Sequence, residues 1–313
     1  MERIRIVEVG PRDGLQNEPV RVPADLKVAF VDELSRSGVD EIEVTAFVSP
    51  QWIPQLADAE EVLGRIRRRP GVTYSALVPN ERGLARALLA RPDKFAVFTA
   101  ASETFNRKNI NTSVRGSIER FVPVVREAGR LGLPVRGYVS TAFFCPYEGA
   151  VDPGAVVEVV DRLTGLGVEE VSVADTVGKA SHAEVRTLLD LLVPRLPPAR
   201  IAMHFHDTFG QGVGNVLAAL EYGVRTFDAS VGGLGGCPYA PGATGNVATE
   251  KVIPALRQAG FRVDVDLAAL EHARGRLAAF LADAKRTLPP DGTAACASCE
   301  YGDQSSCCGR ERH

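Results

Sequence analysis

Three groups of residues in this chain have types and spacings that could do chemistry. The first is the pair His204 and His206. Residues two apart on a strand point to the same face, so both imidazoles can reach one ion. Asp13 could add a carboxylate oxygen if its strand lies nearby, and Asn246 an amide oxygen. Such a mixed nitrogen and oxygen set with open positions suits Mg2+ or Mn2+, with Zn2+ or Co2+ as alternatives. A bare His-x-His could equally be two hydrogen-bonded core histidines, and Asp13 shifts the balance towards a metal. The second group is Arg12, next to Asp13. Its guanidinium offers fixed donors to a developing oxyanion, or a salt bridge across a barrel mouth. The third is Gly232–Asn246, with six glycines and Cys237. A phosphate cradle normally leads directly into a helix. This loop is long and broken by Pro238 and Pro241, which favours a lid carrying Cys237 over a site.

These side chains need a scaffold that brings distant positions together. Short apolar runs alternate with longer amphipathic ones along the chain. Candidate strands are 4–9, 41–47, 73–78, 94–99, 135–141, 170–175, 200–206 and 226–231. Segments such as 24–37 and 117–131 carry apolar residues at three- and four-residue spacing, as helices do. Eight strand–helix units in series predict a (β/α)8 TIM barrel, with a doubly wound open sheet as the other candidate. In a barrel the site sits at the C-terminal ends of the strands. Arg12 and Asp13, Glu43, Asp175 and the two histidines all fall at or near such ends. Residues 267–287 predict additional C-terminal helices, making 1–287 the barrel unit. Residues 288–313 are polar and Cys-rich and predict a flexible tail.

Composition narrows the function. With 36 Lys and Arg against 39 Asp and Glu, the net charge of -3 offers nucleic acid no basic field. No apolar run is long enough to span a membrane. The N-terminus MERIRIVEVG leads straight into a strand pattern without a targeting segment, so a cytoplasmic enzyme is expected. Four of the six cysteines lie in the last eighteen residues, which argues against a disulfide framework for the main fold. Cys296, Cys299, Cys307 and Cys308 lack a histidine at zinc-ligand spacing and read as an oxidisable tail rather than a zinc knuckle.

The motifs VEVGPRDGLQNE (7–18), TAFVSPQWIPQ (45–55), VRGYVS (135–140), CPYEG (145–149), HFHDTFGQG (204–212) and GGLGGCPYAPGATGNVATE (232–250) occur in one order and spacing. Together they resemble the 3-hydroxy-3-methylglutaryl-CoA lyase family. The resemblance runs from about Ile4 to Glu250, and the glycine–cysteine loop is its most specific part. It implies a metal-dependent cleavage of 3-hydroxy-3-methylglutaryl-CoA to acetyl-CoA and acetoacetate, in a homodimer, serving leucine degradation or ketone-body formation. Asp13, His204, His206 and Asn246 match the metal ligands, with Mg2+ or Mn2+ as the expected cation. Glu43 and Asp175 match residues that orient the metal site. Arg12 matches the enolate stabiliser and Cys237 the loop acid/base. Asp13 and His204 are both candidates for the base. Gln16, Asn109, Arg136 and Tyr138 match positions near the acyl-CoA substrate. Phe144, after Phe143, stands where the family usually has a small residue, and Thr141 stands where some members carry Cys. Both changes fall towards the substrate end.

Two rival readings are a barrel enzyme that condenses acetyl-CoA with a 2-oxo acid, and a non-catalytic scaffold. The glycine–cysteine loop weighs against the first. The retention of Arg12, Asp13, His204, His206 and Cys237 weighs against the second.

Overall fold

The computed structural model describes residues 1–235 and 245–286. Eight parallel strands close into a barrel: β1 (Arg5–Glu8), β2 (Glu41–Ala46), β3 (Thr73–Leu77), β4 (Lys94–Ala100), β5 (Val135–Ser140), β6 (Glu170–Asp175), β7 (Ile201–Phe205) and β8 (Thr226–Ala229). Neighbours follow chain order, and β1 closes the ring against β8 with Val7 opposite Asp228. Each predicted strand is present, and the open sheet is excluded by this closure.

Local signals explain the helices between the strands. The helix Pro153–Leu166 starts where Asp152 accepts from the backbone N–H of Gly154, with Pro153 in its first turn. It ends at Gly167, whose φ of 109° suits a residue without a Cβ. Its buried Val156, Val157, Val160 and Leu163 recur at helical spacing and face the strands. The C-terminal segment forms one helix, Leu267–Arg286, packed on Ala24–Leu34. A helix, Glu103–Ile110, and a short hairpin, Phe144–Cys145 with Gly149–Ala150, are additions that periodicity did not predict. Both are too short for a repeating pattern to build up.

The Val, Ile and Phe of the strands face the surrounding helices in one large core. The barrel interior is polar. Near its base, Lys94 donates to Glu41 and Glu170, each at 2.9 Å, and Arg5 approaches Glu170 at 3.3 Å. Arg136 lies 3.3 Å from Glu170 and also pairs with Asp228. Lys94, Glu41, Glu170, Arg136 and Asp228 stay buried because each is paired. The alternation of strand side chains therefore divides an apolar outer face from a charged inner one.

Candidate active site

The residues Arg12 and Asp13 lie in a buried π-helical turn, Gly10–Gly14, just beyond β1. The N–H groups of Arg12, Asp13 and Gly14 all point to the Val9 carbonyl, at 2.8 to 3.2 Å. This wide turn carries both side chains across the barrel mouth. His204 and His206 rise from β7 on one face, with ring centroids 5.4 Å apart. Ligand atoms of Asp13, His204 and His206 all lie within 4.8 Å of one another. The expected three-residue cluster thus forms from residues far apart in the chain.

Asn246 joins the cluster by a different route. Segment 245–248 runs beside β7 and β8: Asp207 N–H donates to the Gly245 carbonyl at 2.7 Å, and Val247 N–H to the Phe205 carbonyl at 3.0 Å. This places Asn246 opposite His206. Its Nδ2 donates to Asp13 Oδ2 at 2.9 Å and to the Leu234 carbonyl at 3.0 Å. Gly235 makes the close approach possible. Its φ is 103°, and a Cβ there would sit 2.7 Å from Asn246 Nδ2.

Electrostatics favour a cation at this cluster. Burial raises the Asp13 pKa, but Arg12, His204 and His206 outweigh it and hold the carboxyl at about 2. Burial, reinforced by the charge of His204, lowers the His206 pKa to about 4, so that imidazole is neutral. His206 Nδ1 is buried and has no partner among the described residues. An ionised carboxylate, a neutral imidazole and an orphaned buried nitrogen form a donor set that fits a divalent ion.

Arg12 is held at two points. Its Nε donates to Glu43 Oε2 and its Nη1 to Asp13 Oδ1, each at 2.6 Å. Its guanidinium carbon also lies 5.4 Å from the centroid of the Tyr138 ring. Glu43 is fully buried; burial raises its pKa and Arg12 partly offsets this.

Other expected residues are placed differently. Arg136 is fully buried one layer below Tyr138, with its guanidinium 5.0 Å from that ring's centroid and paired with Asp228 and Glu170. The two residues share a face, but successive same-face positions lie nearly 7 Å apart along a strand. Arg136 is thus in the barrel interior, between two carboxylates. Asp175 directs its carboxylate to the backbone N–H groups of Gly178, Lys179 and Ala180, at 3.0, 3.2 and 2.9 Å. It shapes the loop after β6. Gln16 is half-buried beside the Arg12 turn, and Asn109 is exposed on Glu103–Ile110. Phe143 is buried in the core, while Phe144 is half-buried with Lys179 Nζ 4.2 Å from its ring centroid. Thr141 takes a φ of 52°, a strained value for a β-branched residue at a strand exit. Cys237 and the tail cysteines lie outside the described residues.

Two carboxylates escaped the sequence reading. Asp228 on β8 lies against His204 Nδ1 at 3.2 Å. Glu8, fully buried, accepts from Gly10 N–H at 3.0 Å, Val231 N–H at 2.9 Å and Thr249 Oγ1 at 2.7 Å. The available signal was an acid inside an otherwise apolar strand.

A closed barrel with this carboxylate–histidine cluster at its C-terminal mouth defines a (β/α)8 enzyme of the metal-site type. The HMGL-like family model matches residues 3–275, and the chain belongs to that family. It is 51% identical over 266 residues to a cytoplasmic 3-hydroxy-3-methylglutaryl-CoA lyase of Rattus norvegicus, covering 85% of this chain and 78% of that one. It is 49% identical over 280 residues to a 3-hydroxy-3-isohexenylglutaryl-CoA/hydroxy-methylglutaryl-CoA lyase of Pseudomonas aeruginosa, covering 90% and 93% of the two chains. The crystal structure of HMG-CoA lyase from Bacillus subtilis superposes with a TM-score of 0.88 at 45% identity, covering 90% of this chain and 95% of that one.

Proposed function

We infer that this chain is a carbon–carbon lyase that cleaves 3-hydroxy-3-methylglutaryl-CoA into acetyl-CoA and acetoacetate. The observation that carries the reading is the meeting of Asp13, His204 and His206, with Arg12 fixed beside them, in a chain about half identical to lyases of that name. Asp13, His204, His206 and Asn246 would hold the cation, with Mg2+ or Mn2+ as our assignment. When bound, a divalent cation makes the substrate's tertiary hydroxyl more acidic.

The chain's own residues supply the other steps. Asp13, which has a second carboxylate oxygen besides the one that would face the cation, accepts the hydroxyl proton. The C–O bond becomes the acetoacetate ketone, and the electrons of the breaking C–C bond pass to the thioester as its enolate. Arg12 stabilises that negative charge through a guanidinium already locked by Glu43 and Asp13. Cys237 returns a proton to the enolate carbon and completes acetyl-CoA. Gln16, Asn109 and Tyr138 are assigned to the substrate side. The proposal extends to a cytoplasmic homodimer acting in leucine breakdown or ketone-body formation. Among the described residues no helix is long and apolar enough to cross a membrane.

The test is acetoacetate formation from a panel of 3-hydroxyacyl-CoA esters, with and without Mg2+. The panel should include the methyl and isohexenyl compounds. Thiol release from acetyl-CoA and a 2-oxo acid, with no acetoacetate from any ester, would replace the lyase by a condensing enzyme.

A further inference from the structure

The carboxylate of Asp228 is wholly buried inside the barrel, and three strands each send it a partner. Arg136 of β5 donates through Nη2, Ser172 of β6 through Oγ at 2.8 Å, and His204 of β7 lies at 3.2 Å through Nδ1. Ser172 and His204 share the same oxygen, Oδ2. An ionised carboxylate only accepts hydrogen bonds. His204 Nδ1 must then carry a hydrogen, so in the neutral ring the lone pair is left on Nε2. The Tyr138 ring meets the His204 ring edge-on, with centroids 6.5 Å apart at 88°, and limits its swing.

His206 has nothing comparable, because its Nδ1 finds no partner among the described residues. One imidazole is held from behind by a carboxylate, while the other, also buried, has no partner at Nδ1 among the described residues. The lock is supported from below: Arg136 Nε lies 3.3 Å from Glu170, which in turn accepts from Lys94 at 2.9 Å. These contacts hold the Arg136 charge under Asp228.

We propose that Asp228 is a positioning residue for His204. It fixes the Nδ1–H tautomer and the ring plane, and Arg136 keeps its carboxylate in place. The inference rests on the metal reading of the Asp13–His204–His206 cluster. A carboxylate behind a metal-binding histidine typically accounts for about 10- to 100-fold in metal affinity.

The experiment uses the full chain, freed of metal and labelled with 15N. Ring-nitrogen NMR reads the His204 tautomer, and calorimetric titration with Mn2+ reads affinity without any turnover. At a pH high enough for the His204 ring to be neutral, wild type should show the Nδ1–H form. Asp228→Asn should give a mixed tautomer and about 10- to 100-fold weaker Mn2+ binding. Ser172→Ala removes one donor only and should weaken binding less, in the same direction. If Asp228→Asn fails to fold, Ser172→Ala decides the matter. Unchanged tautomer and Mn2+ affinity in the folded variants, with a lower Tm alone, would reduce Asp228 to a structural ion pair. Wild-type protein that takes up no Mn2+ would sink the metal reading, while the ring-nitrogen signals would still decide whether Asp228 sets the tautomer.

Discussion

Arg12 and Glu43 meet at 2.6 Å, Nε to Oε2, with the arginine side chain 5% exposed and the glutamate 0%. The contact joins the turn after β1 to the middle of β2. It also fixes the direction of the guanidinium. If Arg12 acts on the enolate, Arg12→Gln should lower kcat by about 30- to 1000-fold, or roughly 2–4 kcal/mol, with little change in Mn2+ affinity. A variant with normal kcat and a much higher KM would reassign Arg12 to docking.

Glu43→Ala tests the aim rather than the charge. Removing one partner of a buried pair typically costs about 3–5 kcal/mol. We expect a clear loss of Tm, together with a fall in kcat, since Arg12 would keep only Asp13 as an anchor. Normal turnover in a destabilised Glu43→Ala protein would separate folding from catalysis at this site.

The metal assignment predicts loss of activity in excess EDTA and recovery with Mg2+ or Mn2+. His206→Ala should bind Mn2+ far more weakly, as it removes one of the four residues assigned to the cation. Full activity after exhaustive chelation would overturn the assignment.

Gly235→Ala should weaken metal binding from outside the ligand set. The added Cβ would press on Asn246 Nδ2 at 2.7 Å, and the φ of 103° is unfavourable for alanine. A cost of about 1–3 kcal/mol in stability is expected, with reduced Mn2+ affinity as Asn246 shifts. Calorimetry and thermal melts check both. An alanine variant matching wild type in the two assays would show that the close approach is dispensable.

Glu8 makes a prediction about pH. Burial raises its pKa to about 7, despite hydrogen bonds from Thr249, Val231 and Gly10. A carboxyl whose folded pKa lies above its unfolded value near 4.5 favours the fold in its protonated form. Its contribution is complete below about 4.5 and is lost as pH rises through about 7. The full difference is on the order of 3 kcal/mol. Asp175, raised to about 6 by burial against its three backbone hydrogen bonds, adds a slope of the same sign at lower pH. His206, whose folded pKa is about 4, opposes this below its unfolded value near 6.5. Chemical denaturation should therefore show stability falling with pH between about 6.5 and 8. Glu8→Gln, which cannot ionise, should flatten the upper part of that slope. An equally steep slope in this variant would assign the effect elsewhere.

The sequence by itself determined the strands, their order and the meeting of Asp13, His204 and His206. Strand pattern is local: runs such as 170–175 and 200–206 are apolar enough to declare themselves, and a His-x-His on a strand must share a face. The motifs around Arg12, His204 and Cys237 carried the family. Tertiary structure decided what each charge does. Asp228 reads as one acid in a strand until closure of β8 beside β7 sets it against His204 Nδ1. Arg136 reads as one cation in a strand, and the strand rise places it a layer below Tyr138, between Asp228 and Glu170. Asn246 reaches Asp13 across 233 residues only because segment 245–248 runs beside the barrel rim. Periodicity reports which way a side chain points, whereas hydrogen bonding depends on which strand lies opposite and at what height, and that is settled only when the barrel closes.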